Sequence, residues 1–358
     1  MTTREEIKTL IERGQYEEAM SRIGTLGDPL EQVQSLMDLA IAVYERKGPL
    51  DWIPDIVEDA LYISKKLKEH GERAVAYSTI ASTLALTGYE DDAMDLFDRA
   101  IKESMGIDDP LRKGSILSEI AYRLAIAGYS EDALEVFDVA FNTIMGAEVD
   151  YNLKVDGIVE MGRLLEKAGD ALPAEEALKF YRTAFDIFDK LHVNQRAAIV
   201  EKKIDLSRTV RDVGLPSIRR ALLEGRFRYA LALIEINYSG ARKLIGKLQV
   251  ALWMKKVNSG GYDDLVEKAF EESGDLSFTE VSAGKIASLL TELGDLRRAL
   301  KFAMTIKDVQ KRSEALGAIA IELARRKELY EAKEIAGMIP DPGVREEVLM
   351  EISTEEGR

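Results

Sequence analysis

The side chains of this chain that could meet a charged ligand are gathered in one stretch. Arg208, Arg211 and Arg219 stand there, with Arg163 before them and Lys255 after them, and Arg220, Arg226, Arg228, Arg242, Lys243 and Lys247 thicken the block. A guanidinium offers paired N–H donors to paired oxygens, so the chemistry implied is recognition of carboxylate or phosphate rather than bond-making. Residues 196–256 carry 14 Lys+Arg against 5 Asp+Glu, whereas 1–195 carry 21 against 38 and 257–358 carry 14 against 21. A basic segment between two acidic ones is a footprint for an anionic partner, or for acidic surface of the same chain or of a second copy.

Catalytic repertoires are thin by contrast. With no Cys, the 358 residues exclude disulfides, thiolate metal sites and cysteine nucleophiles, and two His leave little imidazole chemistry. There is no phosphate-binding glycine loop with its Lys, no HExxH, no nucleophile elbow and no calcium-loop spacing among the acids. His70 and His192 read as polar residues of turns and connections, and Glu90, Asp91 and Asp92 as helix-dipole partners at a helix start. The expectation is a non-enzyme with no catalytic residue, no cofactor and no metal.

The elements that must position the basic residues announce themselves through repetition. A break residue is followed five positions later by a small or apolar one at Gly14/Ala19, Gly88/Ala93, Gly128/Ala133, Gly225/Ala230, Gly261/Val266, Gly294/Ala299 and Lys327/Ala332. Seven residues before all but the first break stand Ala81, Ala121, Ile218, Met254, Ala287 and Ala320, mostly small enough to let two helices approach closely. Apolar residues at helical spacing, such as Tyr77, Ile80, Ala81 and Leu84, define a first helix; Ala93, Phe97 and Ala100 define a second. Two longer units run through Ala40, Lys47 and Ala60 and through Gly162, Gly169, Ala177 and Tyr181. Asp28-Pro29, Asp109-Pro110 and Asp341-Pro342 place an N-cap acceptor before a proline at the first helical position.

This pattern resembles the tetratricopeptide repeat, whose first helix carries a large apolar residue and a Leu-small pair and whose second carries Ala, an aromatic and Ala. Tyr77 to Ala100 and Leu117 to Ala140 match best, the units from Val281 and Leu316 less well, and Arg196 to Lys256 poorly. The resemblance implies an all-α, right-handed α-solenoid of about eight to nine hairpins, with Val344 to Ser353 as a C-terminal capping helix. The domain organisation expected is 1–195 as acidic hairpins, 196–256 as a divergent basic helical segment, and 257–358 as further hairpins and cap.

In such solenoids the first helices line a concave groove. Their non-core positions read Ser78, Ser82, Ser118 and Tyr122 in the two best repeats, a floor of small uncharged side chains suited to an amphipathic or extended segment. Further along, the same positions carry Arg163, Arg208, Arg211, Arg219 and Lys255. Trp52 lies between Pro49 and Pro54, in a stiff apolar loop able to anchor a partner. Tetratricopeptide domains that grip a terminal carboxylate use Lys and Asn on this face; Asn is nearly missing here apart from Asn258, so that activity is not carried over.

The chain is therefore expected to be a non-catalytic scaffold that binds a protein or peptide, acidic or amphipathic, in its groove. The alternatives are a homodimer, in which an acidic half faces the basic block of a second copy, and a regulator associated with nucleic acid. Nucleic acid is disfavoured because the residues outside 196–256 carry a net −24. The N-terminus lacks an apolar signal core and no segment reaches roughly eighteen apolar residues, so the expected setting is cytoplasmic, without membrane contact. Five Asn and six Gln among abundant Glu, Lys and Arg suggest a heat-adapted source.

Overall fold

The computed structural model describes residues 3–274 and 276–356, and every regular element among them is an α-helix. The chain gathers into two compact units, Met1–Leu172 with Glu176–Lys202, and Pro173–Glu175 with Lys203–Arg358. Residues 203–256 thus fold together with the C-terminal hairpins.

The first unit begins with α1 (Arg4–Glu12) and α2 (Tyr16–Ile23), α3 (Pro29–Glu45) and α4 (Trp52–Ser64), and α5 (His70–Leu86) and α6 (Glu90–Met105). It continues with α7 (Pro110–Ile126) and α8 (Ser130–Met145), then α9 (Tyr151–Ala171) and α10 (Ala174–Lys190). These pairs are antiparallel hairpins, and their first helices α3, α5, α7 and α9 also pack successively on one another. After α11 (Asn194–Thr209), the second unit adds α12 (Pro216–Leu223) with α13 (Phe227–Asn237) and α14 (Gly240–Lys256) with α15 (Tyr262–Ser273). It then adds α16 (Glu280–Leu293) with α17 (Leu296–Ala303), α18 (Val309–Arg325) with α19 (Leu329–Gly337), and a last helix α20 (Pro342–Glu356) that packs on α18 and α19. The fold is a tetratricopeptide-like helical repeat.

The sequence pattern has a direct backbone cause. All seven break residues adopt the left-handed conformation, six as glycine and one as Lys327 at φ +65°. At Gly88 this lets the amide of Tyr89 donate to Leu84 O at 2.9 Å, satisfying a carbonyl that the end of α5 would otherwise leave unpaired. The residue five positions on then faces inward: Ala19, Ala93, Ala133, Ala230, Ala299 and Ala332 are all completely buried. One unit differs, because α14 closes on Asn258 at φ +53° with Ser259 donating to Met254 O, while Gly261 stands at the N-cap of α15.

Packing follows from small residues. Gly114 lies so close to α8 that a β-carbon there would sit 2.4 Å from Ile144 Cγ1 and 3.2 Å from Ala140 O. Aromatic residues of successive second helices meet edge to face, Phe137 with Phe180 at 6.5 Å between centroids. Gly169 is no break: α9 runs on to Ala171, the ring of Tyr181 lies where a side chain at 169 would go, and Leu172 turns extended before Pro173. Trp52 likewise opens α4 instead of standing in a loop, because Pro54 falls in the first turn, where its missing N–H is not needed. Asp28, Asp109 and Asp341 cap α3, α7 and α20 through side-chain oxygens at 2.8, 2.9 and 3.0 Å.

Candidate functional site

The small residues at the first-helix positions of α5 and α7 are buried. Ser78 and Ser118 turn their hydroxyls back onto Val75 O and Gly114 O at 3.0 and 2.8 Å, and Ser82 is 7% exposed. These helix-internal bonds use the single donor of each hydroxyl, and burial keeps the rest of the side chain from solvent. Tyr122 is half-buried with Lys167 Nζ 4.5 Å over its ring, and the exposed Arg163 pairs with Glu160 one turn away. Trp52 is half-buried at the start of α4. In the first unit these residues serve packing and local pairing.

The second unit arranges its basic residues differently. α11 ends at Thr209, and the chain turns tightly at Gly214, where a β-carbon would lie 2.3 Å from Ala174 Cβ and 2.8 Å from Val210 O. That turn carries Arg211 and Asp212 out beside Asp205 and Arg208 of α11. The facing walls are Gln249, Leu252 and Lys256 of α14, and Lys285, Ser288 and Glu292 of α16. Together they enclose a cleft of about 320 Å³.

Most cations of this cleft are paired within the unit. Lys256 Nζ donates to Asp205 Oδ1 at 2.8 Å, Lys285 pairs with Asp212, and Arg211 pairs with Glu175. Arg208 is exposed and, among the described residues, has no hydrogen-bond or ion-pair partner. The pairs are solvent-reached, with Arg211 60% and Lys285 47% exposed, so each contributes only about 0–1 kcal/mol and is readily exchanged for another anion.

Behind the charges lies a buried amide. Gln249, 4% exposed, donates from Nε2 to Asp212 Oδ2 at 2.8 Å, which fixes its nitrogen toward the carboxylate. Among the described residues its buried Oε1 meets no hydrogen-bond donor, a state that is uncommon in folded proteins and costs about 1–3 kcal/mol when nothing else satisfies it. Arg242 holds the backbone oxygen of Asp212 through Nε and Nη2 at 3.0 and 2.9 Å, so the residue is anchored from a second side.

Three other members of the basic segment, Arg219, Lys255 and Lys247, are engaged within the fold, whereas Arg220 and Arg228 are exposed. Arg219 is 3% exposed and donates to Gly214 O and Ser207 Oγ, each at 3.2 Å, which makes it a brace for the turn and removes it from the surface. Lys255 Nζ closes the C-terminus of α16 on Glu292 O and Leu293 O at 2.8 and 2.9 Å. Lys247 is buried between Glu235 and Glu272; burial alone would push its ammonium down, yet the hydrogen bonds to both carboxylates outweigh this and hold its pKa above the ordinary value. Glu235 is held below the usual carboxylate range by Lys247 first and Lys243 second. Sequence spacing alone did not find Gln249, Lys256 or Lys285; the helical register of α14 and α16 relative to Leu252 and Leu289 is the signal that places them on the α11 side.

One larger opening is chemically quieter. The 810 Å³ groove beside α1 and α3 has its arginines engaged, Arg4 on Gln34 and Asp38 and Arg46 on Ile11 O and Glu12 O. No group of His and acidic residues among the described residues is arranged to hold a metal ion. No helix among them is long and apolar enough to cross a membrane.

No protein-family model matches the sequence, and no curated protein matches it. Among solved structures, Ton1535 from Thermococcus onnurineus NA1 is 60% identical over 99% of both chains, with a TM-score of 0.94. A Rap protein complexed with competence and sporulation factor is 12% identical over 97% of this chain and 98% of that one, at a TM-score of 0.28. A circular tandem repeat protein is 14% identical over 99% and 87%, at 0.24. The last two differ too much in geometry to bear on function.

Proposed function

The chain belongs to the family of the Thermococcus protein Ton1535, and from that premise we propose that it is a non-catalytic interaction scaffold whose α11–α14–α16 cleft takes an acidic segment of a protein or peptide. Helical repeats of this kind supply a rigid, extended surface made of successive first helices, and binding uses that rigidity rather than chemistry. The observation that carries the reading is Arg208. It is an exposed guanidinium without a partner among the described residues, flanked by cations whose own pairs are weak enough to be shared with an incoming carboxylate. Arg211 acts with it at the rim. A carboxylate-bearing partner is favoured over a polyphosphate because Asp205, Asp212 and Glu292 line the same cleft and would repel closely spaced phosphates. The working setting is the cytoplasm of a heat-adapted organism, in keeping with the low Asn and Gln content and the Thermococcus relative.

The test is a pull-down with the tagged full-length protein as bait, with and without nuclease, beside the double variant Arg208→Glu/Arg211→Glu. A protein retained by the unaltered bait, lost with the double variant and resistant to nuclease supports the reading. Retention indifferent to both substitutions removes the cleft from the account, and nuclease-sensitive retention replaces it with nucleic acid. An empty lane together with a dimer mass by light scattering at low salt assigns the basic segment to self-association.

A further inference from the structure

Gln249 lines the cleft, and one of its polar atoms, buried behind the lining, is left unused by charge recognition. Gln249 Oε1 is buried without a donor, while the same amide's nitrogen is fixed by Asp212, whose other carboxylate oxygen is held by Lys285. The amide cannot exchange its two ends without setting its oxygen against that carboxylate, so the acceptor stays turned away from Asp212. The movable parts of the lining are the outer ends of Lys256 and Lys285, which are 35% and 47% exposed.

We propose that Gln249 Oε1 accepts a backbone N–H of the bound segment, which is therefore an extended peptide whose neighbouring acidic side chain is seated on Arg208. This inference rests on the acidic-segment reading above and narrows it. A helical partner already uses its backbone N–H groups internally, and a nucleic-acid backbone has none, whereas an extended chain presents one at each residue and alternates its side chains between two sides. Carboxylate on Arg208 and N–H on Gln249 are thus two halves of one recognition: the first supplies charge, the second fixes the register of the chain along α14.

The experiment begins with selection of peptides from a random display library on the intact protein, followed by synthesis of one selected peptide with each backbone amide replaced in turn by an ester, which removes a single N–H. The expected result is an acidic peptide that binds at least about tenfold more weakly to Arg208→Glu, with one ester position that weakens binding about tenfold and neighbours that do not. In Gln249→Met that position loses its distinction, the amide and ester forms binding within about twofold of one another. If no single ester stands out, the Gln249 contact is wrong while the acidic reading stands. If the selected peptides are not acidic, or bind Arg208→Glu equally well, or if none is enriched and a single-stranded RNA binds instead, both readings fall. The ester series is measured on unaltered protein, so it decides the matter even where Gln249→Met folds poorly.

Discussion

The helices α5 and α7 of the first unit and the helices α11, α14 and α16 that line the cleft use their surfaces in opposite ways. In the first unit the side chains are small, buried and bonded to their own helix, as Ser78 and Ser118 are. In the second, α11, α14, α16 and the turn after α11 carry long polar groups that are costly to bury without partners; these stand at a cleft, pair where an acid is near, and among the described residues leave Arg208 and the Gln249 oxygen unmatched. Close packing uses up a first-helix surface. A surface that keeps polar groups has to remain partly open, and that is where recognition can occur.

The largest effect expected from testing this contrast comes from Arg219→Glu. It puts a carboxylate where a buried guanidinium donates to Gly214 O and Ser207 Oγ, and about 3–5 kcal/mol of stability should be lost in denaturant unfolding. Next is Gly114→Val in the closed surface of the first unit, where a β-carbon meets Ile144 and the carbonyl of Ala140; about 1–3 kcal/mol is expected, read the same way. Arg208→Glu should lower the affinity for an acidic peptide about tenfold and reduce its salt dependence, with the melting temperature unchanged because, among the described residues, the side chain has no hydrogen bond or ion pair to lose.

A smaller effect concerns acid. Glu103 is held below the usual carboxylate range mainly by its hydrogen bond from Arg73, against opposition from burial and with help from His70. A depressed carboxylate stabilises the fold above its unfolded pKa of about 4.3, and that contribution disappears as pH falls through the folded value. Glu103→Gln should therefore flatten the fall in melting temperature below about pH 4.5, by the equivalent of about 1 kcal/mol or less. Smallest of all, Ser78→Ala should change stability by no more than about 0.5 kcal/mol and leave peptide binding untouched, since the hydroxyl serves only its own helix.

Much of the architecture was legible because repetition states it: the seven breaks are all left-handed, the anchor alanines are buried, and the aspartate-proline pairs start helices. The exceptions among the breaks have local causes. Gly169 belongs to a helix that Pro173 ends, and Asn258 takes the turn that Gly261 was expected to make. The candidate site was legible as a charge imbalance and no further. Charge counting cannot distinguish Arg208, which reaches solvent, from Arg219, which braces a turn one short helix further on, or from Lys255, which closes a neighbouring helix. Pairing decides those roles, and it is set by contacts between helices far apart in sequence, such as Lys285 with Asp212.

The most direct test compares the two units in one titration: affinity and salt slope of a display-selected acidic peptide for the unaltered protein, for Arg208→Glu and for Arg163→Glu. Arg208 and Arg163 are both exposed arginines on helices, but Arg163 already pairs with Glu160 and stands outside the cleft. Recognition at the cleft predicts about a tenfold loss and a shallower salt slope for Arg208→Glu, with Arg163→Glu indistinguishable from the unaltered protein. Equal losses in both variants, or none in either, would contradict it, because binding would then follow overall charge or avoid the cleft altogether.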